Sequence, residues 1–258
     1  MKRQTQIIAT LGPSSFTEAV FSKMVPFIEC VRLNFSWGTH EQMEQLIEMV
    51  KKVGKKEGKK ILIIADLSGP REQMQVGHHF KDGTKGTLTE KDIKDLSFVI
   101  AQDVDYIALS YVGNADDVVA LRKYMEKQSV HIPIIAKIER REAVDNINGI
   151  IDVSDRIMIA RGDLGDVYPI EEIPFLERKI LSLCKKKSRY VIVATEMLLS
   201  MVKADRPTRA EVTDVAYAVS GGASAVMLSE ETAIGDNPIR AVEVLAKIAS
   251  YAEEHQLL

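Results

Sequence analysis

The stretch that decides the fold is Ile134-Ile135-Ala136-Lys137-Ile138-Glu139. It opens as a short apolar run after Pro133 and closes on a cation and a carboxylate two residues apart. Alternate side chains of a strand face the same side, so Lys137 and Glu139 are delivered together where the apolar run gives out. The same layout recurs downstream. Ile157-Met158-Ile159-Ala160 runs into Arg161-Gly162-Asp163, and Val191-Ile192-Val193-Ala194 runs into Thr195-Glu196. Apolar strands that finish in polar residues are how an α/β barrel presents its chemistry at the C-terminal ends of its strands.

Working outward, the pattern alternates strand and helix along the whole chain. Strands are predicted over 6–10, 28–35, 59–65, 104–112, 134–139, 157–160, 191–195 and 223–228, the third ending at Asp66 and the sixth running on to Asp163. Helices are predicted between them, with apolar Met43, Leu46, Ile47 and Val50 at helical spacing in the second. Ser15 or Thr17 is the candidate cap of the first helix and Thr89 that of the third, and Pro207 is expected at the start of a helix. Eight alternating units in 258 residues predict a single α/β domain over 1–258, a closed (β/α)8 TIM barrel with a parallel sheet. The one long irregular stretch is 67–87.

Composition narrows the function classes. Hydrophobic residues are 46% of the chain and the formal net charge is −3, enough for a large core and no bulk attraction to nucleic acid. The lysines between 51 and 60 read as a solvated helix end, where they suit the dipole. Cys30 and Cys184 read as buried free thiols of a reducing compartment. No apolar run is long enough to span a membrane, and Ile7 to Leu11 is too short for a signal-peptide core. A cytoplasmic protein with no nucleic-acid or membrane partner is expected.

The polar residues at strand ends carry the chemistry. Arg32, Asn34 and Ser36 follow strand two at alternate positions, Asp66 closes strand three, and Ser229, Glu230 and Glu231 follow strand eight. Glu139 and Asp163 come from consecutive strands, and two carboxylates with open positions suit a hard divalent cation such as Mg2+. Lys137 beside them suits an anionic oxygen or a proton transfer. Gly162-Asp163-Leu164-Gly165 reads as a loop opening a short helical turn whose amides suit a carboxylate or phosphate. Against this stands the bland alternative that Lys137 and Glu139 form an interior ion pair. His78-His79 reads as solvated rather than as a metal site, and Trp37 as a packing residue before a base-stacking platform.

These motifs together resemble the pyruvate kinase family along nearly the whole chain. The stretches that carry the resemblance are Ile8-Ala9-Thr10-Leu11-Gly12-Pro13-Ser14-Ser15, Arg32-Leu33-Asn34-Phe35-Ser36, Ile107-Ala108-Leu109-Ser110, Ala136-Lys137-Ile138-Glu139, Ala160-Arg161-Gly162-Asp163-Leu164-Gly165 and the run from Arg206 to Ala216. The resemblance implies a barrel of the phosphoenolpyruvate/pyruvate type. It makes Glu139 and Asp163 ligands of Mg2+ or Mn2+, and Lys137 the residue at the transferred phosphoryl group and enolate oxygen. It gives the substrate carboxylate to Gly162, Asp163 and Thr195, phosphate to Arg32, and a monovalent-cation site to Asn34, Ser36 and Asp66. It also places the segment from Pro207 to Ala216 at a barrel–barrel interface, so a homodimer through the barrel is expected.

The departures bear on the reaction. Family members usually insert a β-rich lid domain after strand three and carry a further C-terminal domain. Here only a short loop, about 71–85, stands in the lid's place. Gln73 takes the position of an arginine that contacts nucleotide phosphate, Trp37 that of a histidine, Glu196 that of a glutamine and Glu230 that of a glycine. All four are specificity candidates. Arg71 is the compensation: a basic residue there marks members that do not need potassium, so its guanidinium stands in for the ion. With the substrate half kept and the nucleotide half altered, the expectation is metal-stabilised enolate chemistry on pyruvate or a related 2-oxo acid, of decarboxylation, aldol or tautomerisation type. The alternatives are a lid-less pyruvate kinase and a non-catalytic metabolite-binding protein.

Overall fold

A computed structural model describes residues 3–73, 78–81 and 86–255. The strands are β1 Gln6–Thr10, β2 Cys30–Asn34, β3 Leu62–Asp66, β4 Arg71–Gln73, β5 His78–Phe80, β6 Tyr106–Leu109, β7 Ile134–Ile138, β8 Arg156–Ala160, β9 Tyr190–Ala194 and β10 Ala225–Leu228. Eight of them close into a barrel in the order β1-β10-β9-β8-β7-β6-β3-β2. The expected (β/α)8 fold is therefore the observed one. The chain divides into two compact units, each described in its own right: Met1–Leu33, Glu41–Ile63 and Ile192–Leu258 form the first, Asn34–His40 and Ile64–Val191 the second.

In the first unit β1 is parallel to β2, pairing Ile8 with Cys30 and Thr10 with Arg32. On its other side it is parallel to β10, pairing Ile7 with Val226. Helix Glu18–Met24 is capped by the Thr17 side chain, as expected. Pro207 lies two positions before the helix it was expected to begin. That helix runs Arg209–Ser220, and Thr208 caps it in a reciprocal box with Glu211. The Thr208 hydroxyl accepts the backbone N–H of Glu211 at 3.2 Å, one of the first-turn amides with no carbonyl of its own helix to bond. Cys30 and Cys184 are both buried and unbridged.

In the second unit β7 pairs with β6, Ala108 facing Ile135, and with β8, Lys137 facing Met158. Every residue of β7 is buried, which is why its sequence is apolar at all positions but Lys137 rather than alternating. At the start of β8 the Arg156 guanidinium lies between two rings, 3.9 Å from the centroid of Tyr106 and 3.8 Å from that of Tyr190, a cation–π clasp at the N-terminal ends of these strands.

Two expectations change here. Strand six stops at Ala160, and Arg161–Val167 is a helix, so Gly162 and Asp163 sit in its first turn instead of extending the strand. The stretch after β3 is not wholly irregular: β4 and β5 pair antiparallel, Arg71 with Phe80 and Gln73 with His78. The side chains of Gln73, His78 and His79 lie outside the described residues. No helix among the described residues is long and apolar enough to cross a membrane.

Candidate active site

The site is built in the second unit from the C-terminal ends of β3, β6 and β7 and the helix after β8. Its centre is the ammonium of Lys137. The residue is only 4% exposed, and the ammonium lies 2.8 Å from Glu139 Oε1 and 3.2 Å from Asp66 Oδ1, while donating to Ser110 Oγ at 2.8 Å. An ammonium has three N–H donors, so all three are accounted for. Glu139 is 2% exposed and Asp66 fully buried. The interior ion pair weighed against a catalytic lysine is thus present, and it involves a second carboxylate.

Glu139 is held from a second side, where the Tyr111 backbone N–H donates to Oε2 at 2.5 Å. Burial pushes its carboxyl above the usual range, Lys137 opposes this, and the negative charge of Asp163 adds to it. Glu139 and Asp163 therefore sense each other, which a divalent cation between them would relieve. The Tyr111 hydroxyl donates to Asp163 Oδ1 at 3.3 Å. Burial, then the charges of Glu139 and Asp163, push the Tyr111 phenol up. Among the described residues no group of three or more His, Cys, Asp or Glu gathers as a metal cage. Two carboxylates suit Mg2+ or Mn2+, which are held by one or two carboxylates together with waters and substrate oxygens.

Beside this cluster, Asn34 Oδ1 accepts the Ser36 backbone N–H at 3.1 Å, and the Ser36 hydroxyl is a buried atom with no hydrogen-bond partner. Arg71 Nε donates to the Ser68 carbonyl at 2.8 Å, and its guanidinium carbon lies 5.8 Å from the centre of the Tyr111 ring. Trp37 is 59% exposed, so the packing role expected for it does not hold. The remaining candidates lie in the first unit. Arg32 Nη1 is 3.4 Å from Thr10 Oγ1. Thr195 and Glu196 are consecutive residues with left-handed backbone, φ 68° and 54°, directly after β9. Glu230 is exposed at the start of helix Glu230–Ala233. Its neighbour Glu231 is the buried one, accepting the backbone N–H groups of Leu198 and Ser229 at 2.9 Å and 2.8 Å.

Sequence reasoning missed Tyr111 and left Ser110 as part of a motif without a role. The available signal was position: both follow the apolar run of β6, as Glu139 follows β7.

The strand ends of this barrel thus gather one buried lysine and two carboxylates that sense each other, with Ser110 and Tyr111 beside them. Comparison with known proteins makes the family definite. The model "Pyruvate kinase, barrel domain" matches residues 2–87 and 82–242. The chain is 31% identical to a pyruvate kinase of Corynebacterium glutamicum over 98% of its own length and 70% of the relative's. It is 34% identical to one of Dictyostelium discoideum over 97% and 66%, and 32% identical to one of Staphylococcus aureus over 98% and 58%. The chain belongs to the pyruvate kinase family and corresponds to its barrel domain. The Corynebacterium alignment runs over 334 positions, more than the 258 residues of this chain, so that relative carries inserted sequence within the matched stretch. The family match changes segment at 82–87, just after the β4–β5 pair.

Proposed function

We propose that this barrel carries out the pyruvate kinase reaction, moving a phosphoryl group between phosphoenolpyruvate and ADP with Mg2+ or Mn2+ held by Glu139 and Asp163. The observation that carries it is that relatives matched over 97–98% of the chain are pyruvate kinases, with Lys137, Glu139 and Asp163 inside the matched stretch. Enolate chemistry without nucleotide, the reading favoured by the sequence alone, finds no support among these relatives, and the kinase alternative fits them better.

When bound, the cation supplies positive charge against the phosphoryl and keto oxygens. The chain's own residues do the rest. Lys137 presents its ammonium to the oxygen on which charge develops, giving up its longest contact, that to Asp66, while Ser110 and Glu139 keep it aimed. Gly162 and Asp163, in the first turn of helix Arg161–Val167, orient the substrate carboxylate. The orphan hydroxyl of Ser36, with Asn34 and Asp66, lines the monovalent-cation position, and Arg71 supplies the fixed charge that stands in for that ion.

A coupled assay with phosphoenolpyruvate, ADP and Mg2+ tests this. Turnover is expected, falling at least ~100-fold in Glu139→Gln and in Asp163→Asn. No turnover from protein that binds Mg2+ and oxalate would overturn the kinase reading. Exchange of the methyl protons of pyruvate in that same protein would restore the enolate reading in its place.

A further inference from the structure

We propose that Tyr111 is a positioning residue that makes the Glu139–Asp163 pair prefer a small octahedral cation over calcium. The inference rests on the proposed metal site and goes one step beyond it. Tyr111 stands two residues past the end of β6 and reaches carboxylates of two other elements. Its backbone N–H donates to Glu139 Oε2 at 2.5 Å and its hydroxyl to Asp163 Oδ1 at 3.3 Å. The other oxygen of Glu139 faces the Lys137 ammonium at 2.8 Å. At least three of the four carboxylate oxygens thus carry a donor from the protein.

An oxygen that already accepts a hydrogen bond has less lone-pair density and a narrower approach left for a metal. A carboxylate held in this way is biased towards a single metal–oxygen bond and against chelating one ion through both oxygens. Ca2+ takes six to eight oxygens and often uses bidentate carboxylates, whereas Mg2+ keeps octahedral geometry with waters and one or two carboxylates. The hydroxyl on Asp163 Oδ1 therefore works against calcium in particular.

The surroundings fix where that hydroxyl points. Tyr111 has φ 56°, a backbone conformation uncommon for a bulky residue and of the kind held at functional sites. The ring packs on Phe80 of β5, centroids 5.5 Å apart, with Arg71 on another side. Gly69 closes the box: a Cβ there would sit 2.9 Å from Tyr111 Cδ2.

The test is Tyr111→Phe, which keeps the ring, its walls and the backbone donor to Glu139 and removes only the hydroxyl. Mg2+ and Ca2+ chlorides are titrated separately, by calorimetry in the presence of oxalate, into wild type and variant. The preference for Mg2+ over Ca2+ is expected to fall ~10-fold in the variant. That is the lower end of what orienting partners contribute, because 3.3 Å is long for an O–H···O bond. An unchanged ratio, with both metals still binding, overturns the role of Tyr111 and leaves the metal site standing. Wild-type binding that is absent, or that survives both Glu139→Gln and Asp163→Asn, overturns the metal site and the inference with it. A tyrosine that served packing alone would change the melting temperature of metal-free protein and not the ratio of affinities.

Discussion

Replacing Gly69 by alanine separates two costs that usually come together. Gly69 has φ 65°, and an added Cβ would lie 2.9 Å from both Ser110 Cβ and Tyr111 Cδ2, well inside the ~3.5–4.0 Å at which carbons rest. The left-handed backbone costs an L-residue ~1–2 kcal/mol, and forcing a methyl into filled space costs ~1–3 kcal/mol. Gly69→Ala should therefore destabilise by ~2–5 kcal/mol. Gly58 provides the control, because it has the same φ of 65° with nothing within 4 Å of an added Cβ. Gly58→Ala should show the backbone cost alone, ~1–2 kcal/mol. Urea unfolding measures both, through midpoints compared at unchanged slope. The displaced neighbours are the residues that hold Lys137 and Glu139, so Mg2+ affinity should fall in Gly69→Ala and not in Gly58→Ala. Equal losses of stability in the two variants would refute the tight approach of Gly69 to Ser110 and Tyr111.

Lys137→Met should cost ~3–5 kcal/mol, the effect of stranding buried carboxylates. Adding Glu139→Gln should make the double variant more stable than the sum of the two single losses by ~0.5–3 kcal/mol, and additivity on denaturation would count against the buried pairing. Glu211→Gln should lower stability at neutral pH by ~1–2 kcal/mol, since Glu211 receives Ser200 N and Oγ and Thr208 N and Oγ1 at 2.6–2.8 Å. Burial raises the Glu211 carboxyl, but these bonds outweigh it and hold the group below 4.5. A depressed carboxyl stabilises above its unfolded value and loses that contribution as pH falls through its folded one. The gap between wild type and variant in thermal melts should therefore close below about pH 4.5 and stay open above it.

The barrel was legible because its strands announce themselves twice, as apolar runs and as polar endings. Ile134–Ile138 is buried along its whole length, and no amphipathic alternation competes with that pattern. The pairing of Lys137 with Glu139 followed from strand geometry alone. Its third member, Asp66, was visible as a strand end but not as a partner, since the 3.2 Å contact joins residues on different strands. Tyr111 was invisible for a related reason. Its role depends on a left-handed backbone and on a contact with Asp163, 52 positions away, and neither leaves a periodic trace. The β4–β5 pair was hidden because its strands are three residues long, too short for alternation to register. The exposure of Trp37 runs against its composition, and only packing could reveal it.

Lys137, Glu139 and Asp66 also bear on how this barrel can change over generations. Lys137 faces two carboxylates, so its loss strands both, whereas loss of either carboxylate alone still leaves a pair of opposite charges. Loss of the lysine is therefore selected against by folding before the chemistry is consulted, and it requires a coordinated replacement beside it, a route that point mutation rarely finds. A descendant relieved of its reaction would keep Lys137 long after exposed residues such as Glu196 and Glu230 had drifted. The lysine thus acts as an evolutionary ratchet, and new activities on this scaffold would arise first at exposed positions.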